Sequence, residues 1–125
     1  MRLAIVGSQD YPNLDEVREF VRSQPSDTVI ITGGAIGVDK VAEEEAEGLC
    51  MQVVIFKPNW QKYGRAAGPI RNRLIVDDCD QLQAFWYGDS PGTRSSIAIA
   101  KNAGKLLGVR RILKQGIQGD LFSNE

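Results

Sequence analysis

The sequence predicts an α/β domain with an open, mainly parallel five-stranded sheet and helices on both faces. Short apolar runs alternate with segments of helical period, the pattern of βαβ units. Glycines gather at the joints between runs and helices, where the chain must turn tightly; thirteen are present in 125 residues. That length suits one domain with a single buried core.

Leu3-Ala4-Ile5-Val6 is the first strand, stopping at Gly7-Ser8. Asn13, with Glu16 three residues on, reads as a capping box opening a helix that buries Leu14, Val17 and Val21. Pro25 and Asp27 punctuate the turn into a second strand, Thr28-Val29-Ile30-Ile31. After Gly33-Gly34, the apolar positions Val38, Val41, Ala42, Ala46 and Leu49 share one helix face, and Glu43, Glu44 and Glu47 fall on a solvated one. Val53-Val54-Ile55-Phe56 is the third strand. A loop follows, then a short helix with Pro69 near its first turn, where a missing N–H costs nothing. Leu82 to Trp86 is a fourth, central strand, with Trp86 suited to the core or to stacking. A helix from about Thr93 to Ala103 leads to a basic edge strand, Lys105 to Leu113.

The formal net charge is -1 and there is no histidine, which removes Ser-His and Cys-His catalysis. Cys50 and Cys79 have no CxxC spacing, so neither a zinc site nor a disulfide framework is expected. The sequence pI near 5.5 argues against a general nucleic-acid-coating protein. Met1 leads directly into a strand-like run, with no secretory signal or membrane span, so a cytoplasmic protein without membrane contact is expected.

The positive charge is concentrated instead. Lys57, Lys62, Arg65, Arg71 and Arg73 share a stretch without an acidic residue, beside Trp60 and Tyr63, a field suited to phosphate and a stacked base. Ligands of open parallel sheets bind beyond the carboxyl ends of the strands. Three turns belong there: Gly7-Ser8, Gly33-Gly34-Ala35-Ile36-Gly37 and Ser90-Pro91-Gly92-Thr93. Each brings free amides and a helix N-terminus toward an anion. No P-loop or dinucleotide spacing occurs, and no cofactor is indicated. Ser8, Thr32 and Thr93 offer hydroxyls to phosphate or ribose, although Thr32 suits the sheet equally. Arg71, expected in a first helical turn where a lone cation is unfavourable, is the strongest single phosphate ligand, and Asn72 suits a base or ribose edge. Asp39 suits dipole stabilisation, capping or a ribose hydroxyl; Asp10 and Asp89 are further carboxylates near these turns.

Ile31-Thr32-Gly33-Gly34-Ala35-x-Gly37-Val38-Asp39, Gly68-Pro69-Ile70-Arg71-Asn72-Arg73 and Ser90-Pro91-Gly92-Thr93, in that order, resemble the motifs of the SLOG superfamily. The small stand-alone type, YspA-like and related to YpsA, looks closest. The resemblance runs from about Met1 to Leu113, leaving residues 114–125 as an expected flexible tail. It implies a Rossmann-like fold, a site for a nucleotide or nucleotide derivative, and a homo-oligomer. Gly33, Gly34 and Gly37 match the family's first phosphate-proximal turn, and Gly92 and Thr93 its second. Arg71 matches an arginine that holds sugar phosphate in the hydrolase branch.

The departure is just after the second turn. LOG-type phosphoribohydrolases carry a carboxylate there for the N-glycosidic bond, whereas this chain has Arg94, Ser95 and Ser96. The resemblance therefore favours a sensor or sequestering nucleotide-binding protein. The alternatives are a LOG-like N-glycosidic hydrolase drawing acid–base work from Asp39, Asp89 or Asp10, and a DNA-associated protein like DprA/Smf. Gln118-Gly119-Asp120-Leu121-Phe122 also resembles the pentapeptide with which bacterial proteins bind the sliding clamp through a glutamine and a Leu-Phe pair.

Overall fold

The computed structural model describes residues 1–114. The tail beyond Lys114, with its clamp-like pentapeptide, lies outside the described residues. Five strands are present: β1 (Arg2–Gly7), β2 (Val29–Thr32), β3 (Val53–Ile55), β4 (Gln81–Tyr87) and β5 (Leu106–Ile112). They form one sheet in the order β3-β2-β1-β4-β5, every pairing parallel. This is the Rossmann-like arrangement. The order reverses at β1, the middle strand, and β4 is interior beside it, paired on both sides as expected of a central strand.

The period of two along β1 explains the two layers. Leu3 and Ile5 face one side, packing with Val17 and Val21 of α1 (Leu14–Arg22) and with Val38, Ala42 and Ala46 of α2 (Val38–Gly48). Ala4 and Val6 face the other, packing with Ile75, Val76 and Ala100. Those three come from α4 (Ala67–Asp78) and α5 (Pro91–Asn102), while the short α3 (Trp60–Tyr63) lies outside both layers. Leu3, Ile5, Ile30 and Ile31 are fully buried, each worth roughly 1.5–3 kcal/mol in burial. No described helix is long and apolar enough to cross a membrane.

Several expectations are corrected in detail. Asn13 makes no side-chain cap; Glu16, its expected capping-box partner, instead accepts from the Tyr11 hydroxyl at 2.6 Å and from Arg110. Glu43 is buried rather than solvated, paired with Lys40 at 3.4 Å, and Leu49 is exposed because α2 ends one residue earlier. Helix α4 begins at Ala67, so Pro69 is its third residue and Arg71 its fifth, one turn deeper than expected. The chain is already helical there, because α3, capped by Asn59 accepting from the Lys62 amide at 3.1 Å, and a 3-10 turn lead into it. Pro69 still costs no hydrogen bond, since the first four N–H groups of a helix have no partner within it.

Trp86 is half-buried, neither a core residue nor a stacking surface open to ligand. Arg111, its register partner on β5, lies 3.5 Å from the ring centroid. Strand β5 is one edge of the sheet, as its basic composition predicted, and β3 is the other.

Candidate functional site

A cleft of about 460 Å³ opens at the carboxyl ends of β1 and β4, the point where the strand order reverses. Such crevices are where open α/β sheets place ligands, and the volume is that of a small-molecule site. The structure brings eight of the sequence-predicted residues to its wall: Gly7, Ala35, Asp39, Arg71, Asn72, Ser90, Gly92 and Thr93. The other four, Ser8, Gly33, Gly34 and Gly37, stand behind it and build it.

Ser8 is buried and serves the sheet. Its Oγ accepts from the Tyr87 amide at 2.9 Å and donates to the Tyr87 carbonyl at 3.3 Å, fastening the ends of β1 and β4. Gly37, with φ of 87°, lets α2 begin beneath the loop after β1; a Cβ there would sit 2.3 Å from the Gln9 carbonyl oxygen. Both residues shape the turns that frame the cleft, and neither lines it.

The glycine turn after β2 is also different from its predicted role. Its amides do not point at open space. Gly33 and Ala35 donate to Asp39 Oδ2 at 3.1 and 3.4 Å, and Gly34 donates to Thr32 Oγ1 at 3.0 Å. Thr32 is therefore settled as a sheet residue that satisfies the turn. Asp39 is buried, and that burial pushes its carboxyl up to about 6. The Ala35 amide, Arg71 and the amides of Gly33 and Gly7 pull the other way. Two predicted anion-binding bends thus do converge on an anion, and it belongs to the protein.

Arg71 completes this unit from α4. Its Nη1 donates to the Gly33 carbonyl at 2.8 Å and to the Phe56 carbonyl at 3.3 Å, and its Nε to Asn72 Oδ1 at 3.0 Å. Nη2 carries none of these bonds, and the residue lines the cleft. Burial draws the guanidinium's pKa down while Asp39 opposes the shift; the group remains a cation.

The opposite wall is the start of α5. Pro91 occupies the first helical turn, where its lack of an N–H is harmless, and Ser90 makes no side-chain cap. Instead the Ser90 and Thr93 hydroxyls bond each other at 2.8 Å, and Asn72 Nδ2 reaches the Gly92 carbonyl at 3.5 Å. The amides of Gly92 and Thr93 make no hydrogen bond among the described residues.

Asp10 and Asp89, flagged in the sequence, are exposed on the cleft rim, and Asp89 pairs with Arg94. Tyr87 and Ser96 were missed although they adjoin recognised turns. Gln9 and Lys114 had no sequence signal, and Lys114, assigned to the tail, reaches the cleft only because β5 lies beside β4. Of the basic stretch only Arg71 lines the cleft. Lys57 lies along Gly34, and Trp60 and Tyr63 are 59% and 40% exposed outside it.

No protein-family model matches the chain. The chain is 29% identical over 113 residues to the Gene 61 protein of Mycobacterium phage D29, covering 82% of this chain and 90% of that protein. Among solved structures it is similar to DNA processing protein A from Helicobacter pylori, which binds single-stranded DNA. The TM-score is 0.66 at 20% identity, over 86% of this chain and 64% of that one. The structure of TM1055 matches with a TM-score of 0.64 at 17% identity, over 84% of this chain and 71% of that one. The chain thus spans a little under two thirds of the DNA processing protein, and what these two likenesses establish is the shared Rossmann-like fold.

Proposed function

We propose that this chain is a SLOG-type protein that binds a nucleotide or nucleotide derivative, seating the phosphate at the α5 end of the cleft. The observation that carries the reading is the pairing of Arg71, half-buried and with Nη2 unspent, with the uncapped first turn of α5 across the same cleft. A half-buried guanidinium and free helix-start amides form a donor set for phosphate oxygens, aided by the helix dipole. The proposed seat keeps Arg71 and the Gly92-Thr93 turn of the sequence prediction and leaves out the turn after β2, whose Gly33 and Ala35 amides Asp39 already holds.

This arrangement favours binding over the alternative of N-glycosidic hydrolysis. The position after Thr93 holds Arg94, which faces Asp89 at the surface, and the buried carboxylate of the cleft is tied to backbone amides. Calorimetry against nucleoside monophosphates, ADP-ribose and cyclic nucleotides tests the reading. Micromolar to low-millimolar binding, lost in Arg71→Ala, supports it; no binding at millimolar ligand rejects it.

A second reading is favoured by the exposed Trp60 and Tyr63, with the Lys62 ammonium 5.0 Å from the Tyr63 ring centroid. Cations beside open aromatic faces suit a single strand of nucleic acid, as the likeness to a single-stranded DNA binding protein suggests. Binding of a labelled oligonucleotide that weakens with salt and with Trp60→Ala supports this reading. Retention of full affinity in that variant counts against it.

A further inference from the structure

The geometry points to Asp39 as the residue that sets the ligand class of the cleft: a nucleoside with one phosphate, at the α5 end, and hydroxyls rather than a second phosphate against the β1–β2 end. The inference rests on the nucleotide reading above and goes beyond it by naming what the far end of the cleft accepts and what it refuses.

Two features set this end apart. Its first three backbone donors are committed: the Gly33 and Ala35 amides end on Asp39 Oδ2 and the Gly34 amide on Thr32, and Ile36 and Gly37, which follow, do not line the cleft. The group it presents instead is a carboxylate, an acceptor whose Oδ1 takes neither of the two Asp39 bonds from the turn, the Gly7 amide being its further backbone neighbour. A ribose hydroxyl can donate to such an oxygen. A phosphate can only repel it, and at the low effective dielectric of a cleft wall two like charges a few ångströms apart oppose each other strongly.

Displacing Asp39 to free the turn is costly. The carboxylate is about nine-tenths out of solvent and bound on more than one side, and Arg71, which faces it from α4, is itself anchored to the Gly33 carbonyl. The remaining charged groups of the cleft are at its rim: Asp10, Asp89 in its pair with Arg94, and Lys114. Asp10 adds to the rejection of a second anion. Lys114 lies over Tyr87, on the β4 side, away from the turn after β2; Lys57 runs along Gly34 of that turn but does not line the cleft.

The test compares nucleoside 5′-monophosphates carrying adenine, guanine, cytosine or uracil with the matching 3′,5′-bisphosphates, by calorimetry at pH 7.5. We expect at least one monophosphate to bind the wild-type chain and its bisphosphate to bind at least tenfold more weakly. Asp39→Asn should bring the two to within about threefold. Asp39→Ser, with a short acceptor for the turn, serves if the asparagine variant fails to fold. If neither folds, the ¹³C signal of the Asp39 carboxyl in the wild type decides; it should move when the monophosphate binds, and an unmoved signal overturns the inference. Equal affinity for mono- and bisphosphate in the wild type also overturns it, as does an unchanged preference in a folded Asp39 variant. If no monophosphate binds while ADP-ribose or a cyclic nucleotide does, this inference is overturned and the nucleotide reading stands; if none of them binds, both fail.

Discussion

Arg71 and Asp39 meet across a single glycine. A Cβ built on Gly33 would lie 2.4 Å from Arg71 Nη1 and 2.9 Å from Asp39 Oδ2, so the cation and the carboxylate fill the space that any side chain would need. The turn after β2, the strand end at Gly7 and helix α4 are bound into one unit by this arrangement.

Gly33→Ala should therefore be costly. The methyl group has no room, and overpacking of this kind costs about 1–3 kcal/mol, here with hydrogen bonds of Arg71 and Asp39 strained as well. Urea unfolding measures it. A midpoint equal to wild type would show that the unit is looser than described.

Asp39 gives stability a characteristic pH dependence. Its carboxyl is pushed from an ordinary 3.8 up to about 6 in the fold, so between these values the folded chain holds more protons than the unfolded one. The protonated form is the better tolerated in the fold, and its contribution is lost as pH rises through about 6. Relative to Asp39→Asn, the wild type should gain about 2 kcal/mol on going from pH 7 to pH 4. Parallel stability curves for the two proteins would mean that Asp39 is not held as described.

Ser8→Ala should weaken the sheet while removing no side chain from the cleft wall. It removes both bonds to Tyr87 and leaves that amide without its partner, a loss of about 1–3 kcal/mol. Ligand affinity should change less than twofold at temperatures where the variant is folded. A large affinity loss with unchanged stability would reverse the assignment of Ser8.

Arg111→Ala should uncover Trp86. The guanidinium covers the ring and donates to the Gly88 carbonyl at 2.9 Å, but it is on the exposed edge strand, so the cost should be at most about 1 kcal/mol. Trp86 fluorescence should shift to the red and quench more readily. Unchanged emission would place the ring elsewhere.

How far the chain could be read follows from the kind of signal each feature leaves. Leu3 to Val6, Val29 to Ile31 and the helix faces around Val17 and Val41 were legible because burial imposes a period on sequence. Glu43 was not, since one helix position can be covered by neighbours that only the packed fold supplies. In the cleft, Gly7, Arg71, Gly92 and Thr93 were legible as turn chemistry. The roles of Ser8 and Asp39 were not: a hydroxyl or carboxylate beside a glycine turn has the same sequence signature whether it awaits a ligand or satisfies the turn itself. Lys114 depended on strand order, which no local pattern carries.

The central claim is that Asp39 keeps the turn after β2 while the ligand's phosphate sits between Arg71 and the start of α5. A crystal structure with a bound nucleoside monophosphate tests it most directly. The account predicts phosphate oxygens within hydrogen-bond distance of Arg71 Nη2 and the Gly92 and Thr93 amides, with Asp39 still accepting from Gly33 and Ala35. Phosphate seated on the Gly33 and Ala35 amides, with Asp39 turned away, would contradict it.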